Sequence, residues 1–257
     1  MGDTGDTGDM GDAGDMPPST EALATVPKLL IIETSGRAGV VALAHGSKLL
    51  AERRLDEARR HARDLAPQVA ELLKEQAWTA RQLNGVIVSR GPGSYTGLRV
   101  GIMSAKALAY ATSCKLFGID TFNAVALQVP SEVQCTDVLA DAQQGRVYLQ
   151  RFRCSPGALP QIITPLRITS LQEWLQARPP DCYASGPGLH VYGEAIRDRV
   201  IDKSLWDPKP ASLLHLGLAR WAAGEGDELW QVEPLYLRPS AAEEKWAANR
   251  GNGKTGC

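Results

Sequence analysis

The chain lacks most of the signals that would assign it a chemistry directly. Its five cysteines, Cys114, Cys135, Cys154, Cys182 and Cys257, include no Cys-x-x-Cys pair. Their odd number and wide spacing are expected of reduced thiols rather than of a disulfide framework or a thiolate metal site. The four histidines, His45, His61, His190 and His215, are scattered, and none stands four residues from another, which excludes a zincin-type helix. No apolar run is long enough to span a bilayer. No basic stretch followed by an apolar one marks a secretory signal, so a cytoplasmic protein with no membrane partner is expected.

What is present is the balance of a globular protein. The 257 residues are 44% hydrophobic and 22% charged, enough to bury a core as one large domain or two modest ones. The net charge of −1 conceals a split. Residues 1–25 carry six acids (Asp3, Asp6, Asp9, Asp12, Asp15, Glu21) and no base, so the remainder carries +5. A mildly basic body is compatible with approach to nucleic acid without establishing it. The aspartates sit in Gly-Asp-x triplets over residues 2–16. Glycine every third residue is the collagen period, but the triplets hold no proline and the run is short. With little to bury, the segment reads as a disordered acidic tail; Met10 and Met16 are candidate starts of translation beside Met1.

The organising stretch runs from Arg90 through Gly91-Pro92-Gly93-Ser94-Tyr95-Thr96-Gly97-Leu98-Arg99-Val100 to Gly101. The apolar run before it, Gly85–Ser89, reads as a buried strand, and Leu98–Ala111 reads as a helix. A strand, a glycine loop and a helix start can turn backbone N–H groups toward an anion or another chain. No Lys-Ser or Lys-Thr closes the loop, so it is not a Walker A loop, and the glycine spacing does not fit a dinucleotide fingerprint. Along the helix Gly97, Gly101, Ala105 and Ala109 fall four apart, a stripe of small residues that lets another backbone approach. Arg99, Met103, Lys106 and Tyr110 form a second face. Either one face packs on the chain's own sheet and the other is free, or the helix is central and its Arg and Lys stems snorkel to solvent.

The first half reads β-β-β-α-β-α-β-α. Leu29–Ile32, Gly39–Ala44 and Ser47–Arg54 are strands joined by short turns, and Arg53–Arg63 is a charge-mixed, solvated connector. The next helix carries Leu65, Val69, Leu72 and Leu73 on one face, with Asp64 as N-cap and Pro67 in the first turn. Lys115–Ile119 is a strand, and Thr121 caps a helix through Leu127. A meander followed by alternation predicts a mixed sheet flanked by helices. In the second half Val133–Ala140 and Arg146–Arg153 form a hairpin whose turn needs Gly145 at positive φ. Gln161–Pro165 and Cys182–Gly186 read as strands, Ser170–Gln176 and Ser212–Ala223 as helices, and Pro234–Pro239 as extended chain. The end from Ala241 is polar and reads as frayed. Acids at two strand ends are candidate phosphate contacts: Glu33 with Thr34 and Ser35, and Asp141. Plain turn chemistry accounts for both and is the simpler reading.

Five of these segments together resemble the TsaB (YeaZ) family of bacterial tRNA threonylcarbamoyladenosine synthesis. They are Ile32-Glu33-Thr34-Ser35, His61 through Leu65 to Pro67, Gly91–Gly101, Asp141–Tyr148, and Pro234-Leu235-Tyr236-Leu237-Arg238. They stand in the family's order, and the resemblance covers residues 28–239. It implies an α/β, two-domain fold of the actin-like, sugar-kinase and Hsp70 type. The domains would be 28–129 and 130–240, between the tail 1–27 and a flexible tail 241–257. It implies a non-catalytic scaffold and activator within the glycoprotease-like M22 grouping. Such a subunit pairs with a TsaD-like catalytic subunit, works with a TsaE-like ATPase, and meets tRNA through the complex during threonylcarbamoyl transfer to an anticodon-loop adenosine.

On this resemblance no cofactor is expected on the chain alone; ATP and a metal belong to the partner subunits. The partner interface is expected at Gly97, Arg99, Val100, Gly101, Met103, Lys106 and Tyr110, with Leu65 and Val69. A bulky charge at Met103 or Gly97 is expected to abolish pairing and leave the fold intact. The same face can pair with itself as a homodimer when the partner is absent. The family's metal-binding His-x-x-x-His helix is incomplete here, because Leu65 follows His61, which speaks against a metallopeptidase. Glu33 stands where the family has Asp, and Gln143, Arg146 and Pro187 also depart from it; together they argue against nucleotide binding by this chain alone. The alternative is a stand-alone ATP-dependent kinase or carbamoyltransferase of the same fold.

Overall fold

The computed structural model describes residues 26–55, 61–196 and 198–237. The acidic tail, the polar C-terminal end and part of the charged connector lie outside the described residues. Strands β1 (Lys28–Glu33), β2 (Val40–His45) and β3 (Lys48–Arg54) form an antiparallel meander. Strands β4 (Gly85–Gly91) and β5 (Lys115–Asp120) join the other side of β1 in parallel, giving the order β3-β2-β1-β4-β5. β1 and β4 are buried on both faces, which is why they read as unbroken apolar runs.

Helices α1 (His61–Glu75) and α2 (Tyr95–Thr112) cover one face of this sheet. There Leu30, Ile32, Val86 and Val88 pack with Leu65, Val69, Leu72, Ile102 and Ala105. On the opposite face Leu29, Ile31, Ile87 and Phe117 pack with α3 (Thr121–Leu127) and α6 (Pro210–Ala222) through Ala124, Leu213, Leu214 and Leu216. α6 lies in the stretch read as the second domain, yet it returns to the first sheet. Gly217 permits this: a Cβ there would stand 2.4 Å from Ile87 Cδ1.

The second sheet has the order β8-β7-β6-β9, from β6 (Cys135–Asp141), β7 (Arg146–Arg153), β8 (Gln161–Ser170) and β9 (Tyr183–Ser185), with the short helices α4 (Leu171–Ala177) and α5 (Leu189–Tyr192). Its buried charge is Asp137, which has no exposed surface. A buried carboxylate needs full pairing. Arg151 donates to it from Nε (2.7 Å) and Nη2 (2.9 Å), and Trp174 donates from Nε1 (2.8 Å).

Several sequence expectations are corrected here. α1 begins at His61, so Asp64 lies within the first turn, where an acid opposes the positive helix end, rather than at the cap. Pro67 is inside the helix. The cap of α3 is Asp120, not Thr121. β8 continues through Pro165 to Ser170; as an edge strand it needs no N–H on its outer side. Cys135 and Cys182 form a disulfide. They precede the Thr136↔Tyr183 pair of the parallel strands β6 and β9, so the sheet holds their Cα atoms 4.7 Å apart. Cys114 and Cys154 are free. Among the described residues no helix is long and apolar enough to cross a membrane.

Candidate functional site

The site is built on α2 and begins in the loop before it. Gly91 has φ +108°, a conformation that only glycine adopts at low cost. Ser94 caps the helix, its Oγ accepting from Gly97 N at 3.2 Å. Ser94 N donates to Ser35 O at 2.7 Å, tying the loop to the end of β1. The small-residue stripe then faces inward. A Cβ on Gly97 would stand 2.0 Å from the Thr34 carbonyl oxygen, and one on Gly101 2.1 Å from Thr34 Oγ1. Both glycines, with Ala105 and Ala109, are buried.

The stripe therefore lets α2 lie on its own strand β1, and the helix has one inner and one outer face. Gly97 and Gly101 are turned toward β1 and not toward the open side, and an Arg at Gly97 would break the fold rather than spare it. Leu65 and Val69 are also inside, at 3% and 8% exposure, because the apolar stripe of α1 is spent on the core under β1 and β4.

The outer face carries the remaining candidates. Met103 is 63% and Tyr110 72% exposed; Arg99 is exposed, and Val100 and Lys106 are half-buried. Large apolar side chains left open at helical spacing mark an interaction surface. A second element borders this face. The segment 224–237 runs as a strap beside β5: Asp227 N donates to Leu116 O (2.8 Å), Gly118 N donates to Asp227 Oδ2 (2.6 Å), and Leu235 N donates to Arg90 O (2.8 Å). Arg220 grips Asp227 through Nη2 (2.8 Å) and Nη1 (3.0 Å).

Held in this way, the strap sets Trp230 beside Tyr110, with ring centroids 6.2 Å apart. Lys106 Nζ donates to Trp230 O at 3.2 Å. Toward the start of α2, Tyr236 stacks on Tyr95 at 4.6 Å, and the Arg99 guanidinium lies 4.9 Å from the Tyr95 ring centroid. Trp230 is 70% exposed. Sequence reasoning missed Trp230 and Tyr236 as members of this surface. Tyr236 sat within a recognisable motif, but the Lys106–Trp230 contact joins residues 124 apart, and no local pattern announces it.

The four phosphate candidates are partly engaged within the chain, while Glu33 Oε2 and Thr34 Oγ1 are buried without a hydrogen-bond partner among the described residues. Glu33, Thr34 and Ser35 are 2%, 0% and 4% exposed beneath the glycine loop and α2. Glu33 Oε1 accepts from Ser35 N (2.6 Å) and Ser35 Oγ (2.5 Å). Burial pushes the Glu33 carboxyl above its ordinary range, partly offset by these Ser35 hydrogen bonds. Asp141 lies at the end of β6 in the other sheet. Its Oδ1 accepts from Gln143 N and from Tyr192 Oη, both at 2.7 Å. Burial and that bond push the Tyr192 hydroxyl to about 12, so it stays a donor to Asp141. The turn role of Asp141, with Gly145 at φ +70°, is what the residues perform. What this arrangement offers is an exposed surface with cations and aromatic rings framing an apolar centre.

The chain is similar to proteins of tRNA threonylcarbamoyladenosine synthesis. The family model described as TsaD, tRNA N6-adenosine threonylcarbamoyltransferase, matches residues 49–190. The tRNA threonylcarbamoyladenosine biosynthesis protein TsaB of Bacillus subtilis is 28% identical over 229 residues, 85% of this chain and 97% of that protein. The Escherichia coli protein of the same description is 25% identical over 226 residues, with the same coverage. The solved structure of YeaZ from Pseudomonas aeruginosa superposes with a TM-score of 0.70 at 27% identity, covering 82% of this chain and all of that one.

Proposed function

Because this chain belongs to the TsaD family of tRNA N6-adenosine threonylcarbamoyltransferases, in its TsaB/YeaZ branch, we propose that it is the scaffold and activator subunit of a tRNA threonylcarbamoyladenosine synthesis complex. It pairs with a TsaD-type catalytic subunit, acts alongside a TsaE-type ATPase, and meets tRNA through that complex. ATP and the metal are carried by the partner subunits. In the partner's absence the same face closes on a second copy. The working compartment on this reading is the cytoplasm.

One observation carries the proposal: α2 is fixed to β1 by Gly97 and Gly101, while Met103 and Tyr110 on its other side stand open beside Trp230. Rigid backing and an open apolar centre are what a docking helix needs. The incomplete His-x-x-x-His pattern and the turn role of Asp141 support a role without an active site on this chain.

The surface is tested by titrating a TsaD-type subunit with the wild-type chain and with Met103→Arg. A charge buried against apolar partner surface without a counter-ion weakens association by about 3 kcal/mol or more, a hundredfold or greater. Undiminished affinity of Met103→Arg would remove the surface assignment.

A further inference from the structure

Trp230 stands 70% exposed on a segment that is otherwise fixed. The strap 224–237 is pinned to β5 through Asp227 and to Arg90 through Leu235. Between these points Leu229 and Val232 pack inward with Val100 and Leu108 of α2, and Glu228, Trp230 and Glu233 are exposed. Burying a ring held on fixed backbone removes much apolar surface from water at a low entropy cost. Tryptophan is accordingly enriched at the energetic centres of interfaces.

The helix alone is too narrow for stable association. Its 18 residues make an outer face about 27 Å long and about 10 Å wide. That is roughly 300 Å² in projection, against about 800 Å² per partner in a stable interface. The strap lies antiparallel beside it, with Trp230 next to Tyr110 and Tyr236 stacked on Tyr95. It widens the surface along the length of the helix.

The charges of this composite surface are divided. On the helix side stand Arg99 and Lys106, and α2 carries no acid. On the strap side stand Glu225, Asp227, Glu228 and Glu233. Arg220 takes up Glu225 and Asp227. Glu228 and Glu233 make no ion pair among the described residues. The two cations across from them are held instead by the Trp230 carbonyl and the Tyr95 ring. Two exposed carboxylates flanking Trp230 repel a phosphate backbone and suit a protein surface with basic side chains.

We propose that the strap is the second half of the docking surface: Trp230 enters an apolar pocket of the partner, and Glu228 and Glu233 meet basic side chains on the rim of that pocket. The partner is the TsaD-type subunit of the function proposed above, on which this inference rests. Trp230 contributes affinity that salt leaves in place. The two acids contribute steering and orientation that salt screens.

The test is titration of a TsaD-type subunit with full-length chains in low salt and in about 0.5 M salt, each variant first shown to keep the wild-type melting temperature. Trp230→Ala should weaken association about thirtyfold or more at both salt concentrations. Glu228→Lys combined with Glu233→Lys should weaken it about tenfold in low salt through slower association, the gap closing in high salt. Wild-type association that Met103→Arg abolishes and Trp230→Ala leaves unchanged would overturn the strap assignment alone. A charge-reversed chain that binds as tightly as wild type in low salt would overturn the basic rim. A dimer of this chain lost in Trp230→Ala, with partner affinity unchanged, would overturn the assignment and give the surface to a second copy. No association by the wild-type chain, with the TsaD-type subunit shown to be folded, would overturn the function proposed above and this inference with it.

Discussion

Gly97→Ala separates the two faces of α2 by the sign of its effect. In a solvent-backed helix the change would stabilise by about 1 kcal/mol, since alanine is the better helix former. Here the new Cβ would stand 2.0 Å from the Thr34 carbonyl oxygen and 3.2 Å from Ser94 Oγ. The carbonyl belongs to backbone at the end of β1 and cannot swing aside, so the helix must move outward by roughly 1 Å or more. That movement strains the Ser94 cap and loosens Leu98, Ile102 and Ala105, all buried beneath the helix.

Overpacking costs about 1–3 kcal/mol, occasionally more, and an approach of 2.0 Å to a backbone oxygen belongs at the upper end, about 3 kcal/mol. Set against the propensity gain, a net loss of about 2 kcal/mol is expected, or a melting-temperature decrease of about 4–8 °C for a chain of this size. Thermal unfolding followed by circular dichroism reads it. Met103→Ala, on the exposed side, should stay within about 0.5 kcal/mol of wild type. A Gly97→Ala chain as stable as wild type, or more so, would refute the packing of the stripe on β1 and with it the assignment of the inner and outer faces.

Glu33→Gln should stabilise the chain increasingly as pH rises. Burial holds the carboxyl above the ordinary carboxylate range in the fold. The unfolded chain therefore releases that proton first, and stability is lost as pH climbs from there through the folded pKa. The two chains should melt alike below the ordinary carboxylate range and diverge as pH rises above it; parallel curves would refute a buried carboxyl held protonated by the fold. Reducing the Cys135–Cys182 disulfide opens a loop between residues 47 apart, worth about 4 kcal/mol on the chain-entropy account. The melting temperature should fall by roughly 10 °C with reductant, and Cys135→Ser should be insensitive to it; an unchanged melt would show that the bond contributes nothing.

The parts of the fold legible in the sequence were those governed by local pattern. β1 and β4 showed as apolar runs because both of their faces are covered, and the hairpin of β6 and β7 showed through its turn residues. The glycine loop and the two-faced helix after it were visible as spacing. What sequence could not say was which face turned inward. That depends on the end of β1 presenting Thr34 to Gly97 and Gly101, a contact between segments some sixty residues apart in the chain. The same limit hid the strap, whose Trp230 meets α2 only because Arg220, Asp227 and Gly118 pin it to β5. It also hid the disulfide, which exists because two parallel strands align, not because of any cysteine spacing. Leu65 and Val69, buried in the core, show a simpler limit: an apolar helical stripe looks the same whether it meets a partner or the chain's own core.

The most direct test of the central claim is a reconstituted transfer assay. Threonylcarbamoyl label incorporated into tRNA by a TsaD-type subunit and a TsaE-type ATPase would be measured without this chain, with it, and with its Met103→Arg variant. Incorporation should require the chain and be lost with Met103→Arg while that variant keeps its wild-type melting temperature. Incorporation indifferent to the chain, with the other components shown to be active, would contradict the account.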